Sequence, residues 1–146
     1  MNRFTRATTL ILALALMSSA VAAAAGKGAF TAKADVKWTA TSIPGVSTAV
    51  VEGDMAKGPS HFYLKYDKGF VAPLHHHSPD HYATVVSGQL VLISDGKENR
   101  LAPGSFFAFT GMAPHGARCE GTEDCIMFID ARGPWDVVAE ASAGKP

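Results

Sequence analysis

Short β-rich runs alternate with turn residues along most of this chain, and this rhythm constrains the fold more than any other feature. The runs are Val46–Val51, His61–Tyr66, Val71–His77, His81–Val86, Gln89–Ser94, Glu98–Leu101, Phe106–Phe109, His115–Cys119 and Cys125–Asp130. Strands that recur about every 8–12 residues are typical of an all-β sandwich or barrel. No segment after residue 25 keeps apolar residues at helical period for three turns.

The pattern therefore predicts one all-β domain over residues 26–146, with a barrel core at about 46–130. Before the core we expect an N-terminal arm with an edge strand around Val36–Thr39. After it, Ala139–Pro146 is expected to be a frayed tail.

Length and charge narrow the choice of partners. The chain has 146 residues, 47% of them hydrophobic, which is enough material for one core. Its formal net charge of +0 gives no electrostatic reason to expect nucleic acid or an anionic membrane as the partner. A small-molecule ligand is the remaining expectation.

The first 25 residues have the layout of a secretory signal peptide. Arg3 and Arg6 supply a positive region, Leu10–Met17 is apolar, and Ala20–Ala25 offers small-residue cleavage sites. The alternative is a permanent membrane anchor, but the apolar stretch is short of the roughly 20 residues that span a bilayer. We expect cleavage near Ala25, a periplasmic or secreted protein, and no membrane contact afterwards.

Two cysteines, Cys119 and Cys125, flank a polar loop between two apolar strands. Residues that face each other across a hairpin are close enough for a disulfide, which an oxidising compartment allows. The alternative is a pair of free buried thiols. A metal site made by these cysteines is disfavoured, because no second cysteine pair completes a tetrahedral set.

Four of the six histidines lie within seven positions: His75, His76, His77 and His81. Side chains alternate along a strand, so His75 and His77 share one face and His76 lies on the other. His81 follows a predicted turn at Ser78-Pro79-Asp80, and His115 begins a later strand that a closed barrel brings alongside. Imidazole is a common transition-metal ligand, so the pattern predicts a site of His75, His77, His81 and His115. The alternatives are a surface cluster or hydrogen-bonded core histidines; His76 and His61 are expected to face solvent or support the ligands.

The spacing Gly69-x5-His75-x-His77-x3-His81-x6-Gly88 resembles the first motif of the cupin superfamily, in which Glu usually stands where this chain has His81. A looser second motif begins at Gly104 and has His115 in the place of the fourth ligand. Val51-Glu52-Gly53-Asp54 and Gly133-Pro134-Trp135 resemble small exported bacterial cupins of the ChrR-like group. The resemblance implies a cupin double-stranded β-helix (jelly-roll) barrel around one divalent transition metal.

Replacement of the usual carboxylate by His81 changes the expected metal. Four neutral imidazoles leave the full charge on a divalent ion, which favours Fe, Zn, Ni or Cu over Mn. Asp80 could supply a carboxylate only if a bulge turned it inward, against its strand parity.

Two functions remain open. The first is a metal-dependent, oxygenase-like enzyme that acts on a small organic chelating substrate. The second is a non-catalytic periplasmic metal- or ligand-binding sensor. A barrel that binds no metal is a third and less favoured interpretation. Tyr82 and Asp80 are the only candidates for a general base. About half of the apolar candidates are expected to face the cavity: Phe62, Leu74, Tyr82, Phe106, Phe109, Met112, Met127 and Phe128. Family resemblance also allows a homodimer, with the arm around Trp38 as the exchanged segment.

Overall fold

A computed structural model describes residues 28–141 of the chain. The chain divides between Phe30 and Thr31 into two compact units. Only residues 28–30 of the first unit are described, and they lie outside regular structure. The predicted signal peptide over residues 1–25 falls outside the described residues.

The second unit is built almost entirely of strands, preceded by one 3₁₀ turn at Lys33–Asp35. Its strands are β1 (Thr39–Ala40), β2 (Val46–Gly53), β3 (Ser60–Tyr66), β4 (Val71–His76), β5 (His81–Ser87), β6 (Gln89–Ser94), β7 (Lys97–Leu101), β8 (Phe106–Phe109), β9 (His115–Glu120), β10 (Cys125–Ala131) and β11 (Val138–Ala139). Within residues 28–141 no helix has the length and apolarity of a membrane span. The predicted all-β class is confirmed.

These strands form two antiparallel sheets. The first has the order β1-β2-β3-β10-β5-β8 and the second the order β11-β4-β9-β6-β7. Strands that are distant in sequence lie side by side, as where β10 inserts between β3 and β5. The crossing connections distinguish this jelly roll from a simple meander of hairpins.

Alternation along the strands places the core between the sheets. In β3 and β10 every second residue is buried. Phe62 and Ile129 are paired across these strands, and both are almost fully inaccessible to solvent. Leu90 and Leu92 on β6 supply the opposite wall. Such burial of apolar side chains is the main favourable contribution to folding.

The cysteines form the predicted disulfide. Cys119 on β9 and Cys125 on β10 are bonded, with Cα atoms 5.7 Å apart. Because β9 belongs to the second sheet and β10 to the first, the bond joins the two sheets at the hairpin between them.

The C-terminal segment differs from the predicted frayed tail. Val138 pairs with His76 and Ala139 with His75, so β11 extends the second sheet at the edge of β4. The backbone N–H of Glu140 donates to the carbonyl of Leu74. For residues 139–140 the expectation is wrong, because its evidence was local composition, whereas these residues are ordered by pairing with a distant strand. Residues 142–146 are outside the described part.

Candidate metal centre

Three of the predicted ligands converge between the two sheets. His75 is the last residue but one of β4, His77 follows that strand directly, and His115 begins β9. A register irregularity between Ala72 and His75 brings His75 directly opposite His115. Ligand nitrogens of these three histidines all lie within 4.8 Å of one another. All three side chains are buried.

Backbone carbonyls fix the orientation of the three rings. The Nδ1 of His75 is 2.8 Å from the carbonyl oxygen of Pro73, and that of His115 is 2.9 Å from the carbonyl of Ala113. The Nδ1 of His77 is 2.5 Å from the carbonyl oxygen of Asp136. Because a carbonyl only accepts, each Nδ1 carries the proton and donates it. Each Nε2 is therefore left with its lone pair, the tautomer found in histidine metal sites.

Burial also keeps the cluster neutral. Removal from water, together with a smaller effect of the neighbouring histidines, lowers the pKa of His77 to about 3. Burial lowers the pKa of His115 to about 4 and that of His75 in the same direction. Metal ions compete with protons for imidazole nitrogen, so a neutral cluster is ready to bind a cation at neutral pH. The donors present fit a transition metal of the kind predicted from the sequence.

His81, the fourth predicted ligand, lies beside this group but is not part of the set within 4.8 Å. Its ring centroid is 4.9 Å from that of His77 and 5.8 Å from that of His115. Burial lowers its pKa as well. Its Nδ1 is buried and forms no hydrogen bond of normal geometry. A buried ring nitrogen without a partner is costly, and coordination of a cation is one way to satisfy a histidine. Its role as the fourth ligand stays a prediction.

The two remaining histidines of interest occupy different environments. His61 lies on the other face of β3 from Phe62, half exposed, with its Nδ1 3.0 Å from a carboxylate oxygen of Glu52. His76 was expected to face solvent or support the ligands, but solvent exposure is excluded. It is buried under β11, and its Nδ1 donates to Glu140 Oε1 at 2.5 Å.

Aromatic rings border the histidines. Trp135 stacks on His77 with ring centroids 3.9 Å apart and an interplanar angle of 22°. Phe109 stacks on His115 at 4.1 Å and 8°. Trp135 also meets Phe62 edge to face. Trp135 entered the sequence reasoning only through a family resemblance, because no local periodicity links residue 135 to residue 77.

A cavity of about 630 Å³ opens beside the histidines. His75 and His77 form part of its wall, together with residues of the β1–β2 loop, β3 and the C-terminal segment. A second space of about 20 Å³, hardly larger than one water molecule, is bordered by His77, His81 and His115. Tyr66 and Trp135 border both spaces. The large cavity falls within the size range of ligand pockets in proteins.

None of the eight predicted apolar candidates lines the large cavity, and only Met127 borders the small space. Phe62 and Met127 are buried in the core, and Phe109 borders His115. Four of the eight candidates point outward and are substantially exposed: Leu74, Tyr82, Phe106 and Met112.

Neither candidate for the general base faces the site. Tyr82 lies on the outside under the guanidinium of Arg132. Asp80 is exposed, and its Oδ1 accepts from the backbone N–H of Gly111 at 2.6 Å. Its carboxylate therefore holds a loop and does not replace the missing glutamate. The strand parity of Asp80 had already indicated that its side chain faces away from the site.

Comparison with known families bears on this site directly. The model of the cupin domain family matches residues 62–130, a segment that contains all four predicted ligands. Residues 62–130 therefore form a cupin domain. The predicted cupin jelly-roll fold is thereby confirmed, while membership of the narrower ChrR-like group and the limits of the domain at residues 26 and 146 stay predictions.

Several solved structures share the fold of this cupin. The polyketide cyclase RemF from Streptomyces resistomycificus is 19% identical with a TM-score of 0.66, over 82% of this chain and 90% of that one. KdgF from a Halomonas species is 23% identical with a TM-score of 0.60, over 73% of this chain and 94% of that one. An RmlC-like cupin from Shewanella frigidimarina is 21% identical with a TM-score of 0.59, over 74% and 92%. No curated protein matches the sequence significantly.

Proposed function

We propose that this cupin is an exported, metal-dependent enzyme of the oxygenase-like kind that acts on a small organic chelating substrate. One observation carries the proposal: three buried histidines present converging nitrogens, and two of them, His75 and His77, lie in the wall of a cavity large enough for a substrate. A metal used only for structure needs no such cavity beside it.

The residues of the chain have separable tasks in this proposal. His75, His77 and His115 would hold the ion, with His81 as the fourth ligand, and the ion would supply Lewis-acid activation of a ligated oxygen. Carbonyls of Pro73, Ala113 and Asp136 hold three of the rings in position. This leaves the ligand geometry set before any ion arrives.

The aromatic residues keep water away from the histidines. Trp135 covers one face of His77, and Phe109 covers one face of His115. Exclusion of water strengthens electrostatic interactions within a site and protects reactive groups. The cavity itself binds and orients the organic part of the substrate.

The wider context agrees with an enzyme. Solved structures of the same fold include a protein described as a polyketide cyclase. The disulfide between Cys119 and Cys125 suits an oxidising compartment, in keeping with the signal peptide expected from residues 1–25. Export and metal dependence are both part of the proposal.

Metal analysis of purified variants tests the site. His75→Ala and His115→Ala should each lose most of the bound metal, because either change removes one of three convergent nitrogens. His61→Ala is the matched control, since that histidine faces outward beside Glu52, and it should retain the metal of the wild type. Equal metal content in all three variants would exclude the proposed centre.

A non-catalytic sensor is the second candidate, favoured by the position of His81 next to His77 and His115. Four protein ligands around a tetrahedral ion leave no position for a substrate. The absorption spectrum of the cobalt-substituted protein separates the two functions. Weak bands of five- or six-coordinate cobalt that change on addition of a chelating ligand support the enzyme. Intense tetrahedral bands that do not change support the sensor.

A further inference from the structure

The large cavity beside the histidines is a binding site with a definite chemical preference. We infer that it takes a ligand whose metal-binding group is the polar end and whose remaining body is apolar and uncharged, with the Tyr66 hydroxyl donating a hydrogen bond to the polar end. This inference rests on the proposed function and specifies the substrate class for the same site.

The charge of the cavity wall is the first argument. All residues that line the cavity belong to the described chain, and none of them is a lysine or an arginine. The only acidic residue among them, Asp136, directs its carboxylate to Ser78, whose N–H and Oγ lie 2.7 and 2.5 Å from its two oxygens. A carboxylate or phosphate buried in this wall would meet no positive partner. An uncompensated buried charge is strongly unfavourable, so an anionic body is excluded.

The apolar surface is the second argument. Leu64 and Phe70 lie in the wall of the cavity, and Val46 and Met55 complete its inner part. Thr41, Ser42 and Thr48 add only neutral hydroxyl groups. A ligand gains about 25 cal/mol for each Å² of apolar surface that it removes from water. The wall therefore stabilises hydrocarbon or aromatic groups and discriminates against densely hydroxylated ones.

Tyr66 marks the polar end. It borders both the large cavity and the small space between His77, His81 and His115, so it lies where the two spaces approach each other. Burial raises the pKa of its phenol to about 12, with no hydrogen bond acting in the opposite direction. The hydroxyl therefore keeps its proton at neutral pH and is available as a donor to an oxygen of the ligand.

Thr48 is a further residue of the cavity wall. It borders the large cavity but not the small space at the histidines. It lies on β2 opposite Leu64, so its side chain is part of the wall around the ligand body. A lysine introduced there should reverse the charge preference without touching the histidines.

Two isosteric catechols test the inference. 4-Isobutylcatechol and 3,4-dihydroxyphenylacetate share the same chelating head and differ in whether the tail is apolar or anionic. Dissociation constants are measured by isothermal titration with metal-free and zinc-loaded protein. In the metal-free protein we expect the isobutyl compound to bind at least about tenfold more tightly. Equal affinity, tighter binding of the carboxylate, or no binding of the isobutyl compound would overturn the inference.

Variants show which residues of the cavity wall cause the preference for an apolar tail. Thr48→Lys should remove or invert the preference for the apolar tail, whereas Val50→Lys, an exposed position on the same strand, should leave it unchanged. Tyr66→Phe should weaken both compounds by a similar factor of about five to ten, the loss of one hydrogen bond. An unchanged affinity in Tyr66→Phe would overturn the role of the hydroxyl, and an unchanged preference in folded Thr48→Lys would overturn the assignment of the tail.

Zinc separates this inference from the proposed function. If the histidines bind the ion and the ligand chelates it, zinc should tighten the binding of the isobutyl compound. If zinc changes neither affinity, the proposed function fails, while the preference in the metal-free protein still decides the substrate class.

Discussion

At the scale of single residues, the site depends on histidine rings whose protonation and orientation are fixed before any metal binds. Each of three histidines donates its Nδ1 proton to a carbonyl, two of them to a residue only two positions earlier in the chain. The i, i+2 spacing of His75 and His77 was visible in the sequence and predicted a shared face. The carbonyl of Asp136 was not predictable, because it reaches His77 from the far end of the chain.

Acid should destabilise the metal-free protein through these histidines. In the folded state burial lowers the pKa of His77 to about 3 and that of His115 to about 4. In the unfolded state both return to about 6.5, so the unfolded chain binds more protons below that pH. The stabilising contribution is present above pH 6.5 and is lost as the pH falls towards 4. Urea midpoints of the metal-free protein should therefore decrease between pH 7 and 4.5, and less steeply in His77→Gln. A flat profile over that interval would contradict the burial of these rings.

Gly88 should be much harder to replace than Gly96, a turn glycine with a similar backbone conformation. Its φ is +78°, and a Cβ there would lie 2.6 Å from the carbonyl oxygen of Asp124 and 2.8 Å from the Cα of Cys125. Gly96 has a similar φ of +72° with open space around it. Gly96→Ala should cost only the left-handed backbone penalty of about 1–2 kcal/mol. Gly88→Ala should lower the free energy of unfolding by at least about 2 kcal/mol more, because backbone atoms must move. Denaturant titration of both variants measures the difference, and equal losses would contradict the close approach.

At the scale of elements, the strands were predictable and their partners were not. Gln89–Ser94 and Phe106–Phe109 were predicted with the bounds observed, because turn residues punctuate them on both sides. The two-residue strand β11 carries too little pattern to be recognised. Strand β11 forms because it can pair with the free edge of β4. This pairing holds the C-terminal segment 135–140 against the histidine cluster, where Trp135 stacks on His77.

The contact between Asp136 and Ser78 should couple this C-terminal segment to metal binding. The Asp136 carboxylate accepts two hydrogen bonds from Ser78, and its own carbonyl holds the His77 ring. Asp136→Ala should lower the free energy of unfolding by about 1–2 kcal/mol. Supporting partners of metal ligands are typically worth about 10–100-fold in affinity, so metal affinity should fall by a factor in that range.

Competition with a fluorescent chelator measures that affinity. Asp124→Ala is the control, since the Asp124 carboxylate likewise accepts from a backbone N–H, that of Lys68, and lies near Lys65 at the β9–β10 hairpin, outside both spaces that the histidines border. Equal affinities of the two variants would show that the C-terminal segment does not support the site.

At the scale of the whole molecule, two sheets close around one core and are joined covalently at one hairpin. The disulfide between Cys119 and Cys125 closes a short loop, with a sequence separation of 6. Loop-closure entropy for such a small ring corresponds to about 2 kcal/mol. The double variant Cys119→Ser, Cys125→Ser should therefore lose about that much stability yet keep its strand content and its metal. Thermal denaturation followed by far-UV circular dichroism measures the stability and the strand content, and metal analysis measures the bound metal. Loss of the β-sheet spectrum would show that the disulfide is required for folding.

Strand rhythm alone predicted an all-β sandwich or barrel, since each sheet must bury one alternating face, and the jelly roll followed only from the family resemblance. The cavity could not be predicted in the same way. Leu74, Tyr82, Phe106 and Met112 were candidates for its lining, yet they face outward. Which face of a strand turns inward depends on register, and the irregularity between Ala72 and His75 shifts it within one strand.

The central claim is that the histidines between the sheets bind one transition metal. Anomalous X-ray scattering at the zinc edge, from crystals of the zinc-loaded protein, tests it most directly. A single peak about 2.0–2.1 Å from the Nε2 atoms of His75, His77 and His115 is the predicted result. Loss of that peak in His77→Ala crystals should accompany it. Absence of a peak among these histidines, or a peak held elsewhere on the chain, would contradict the account.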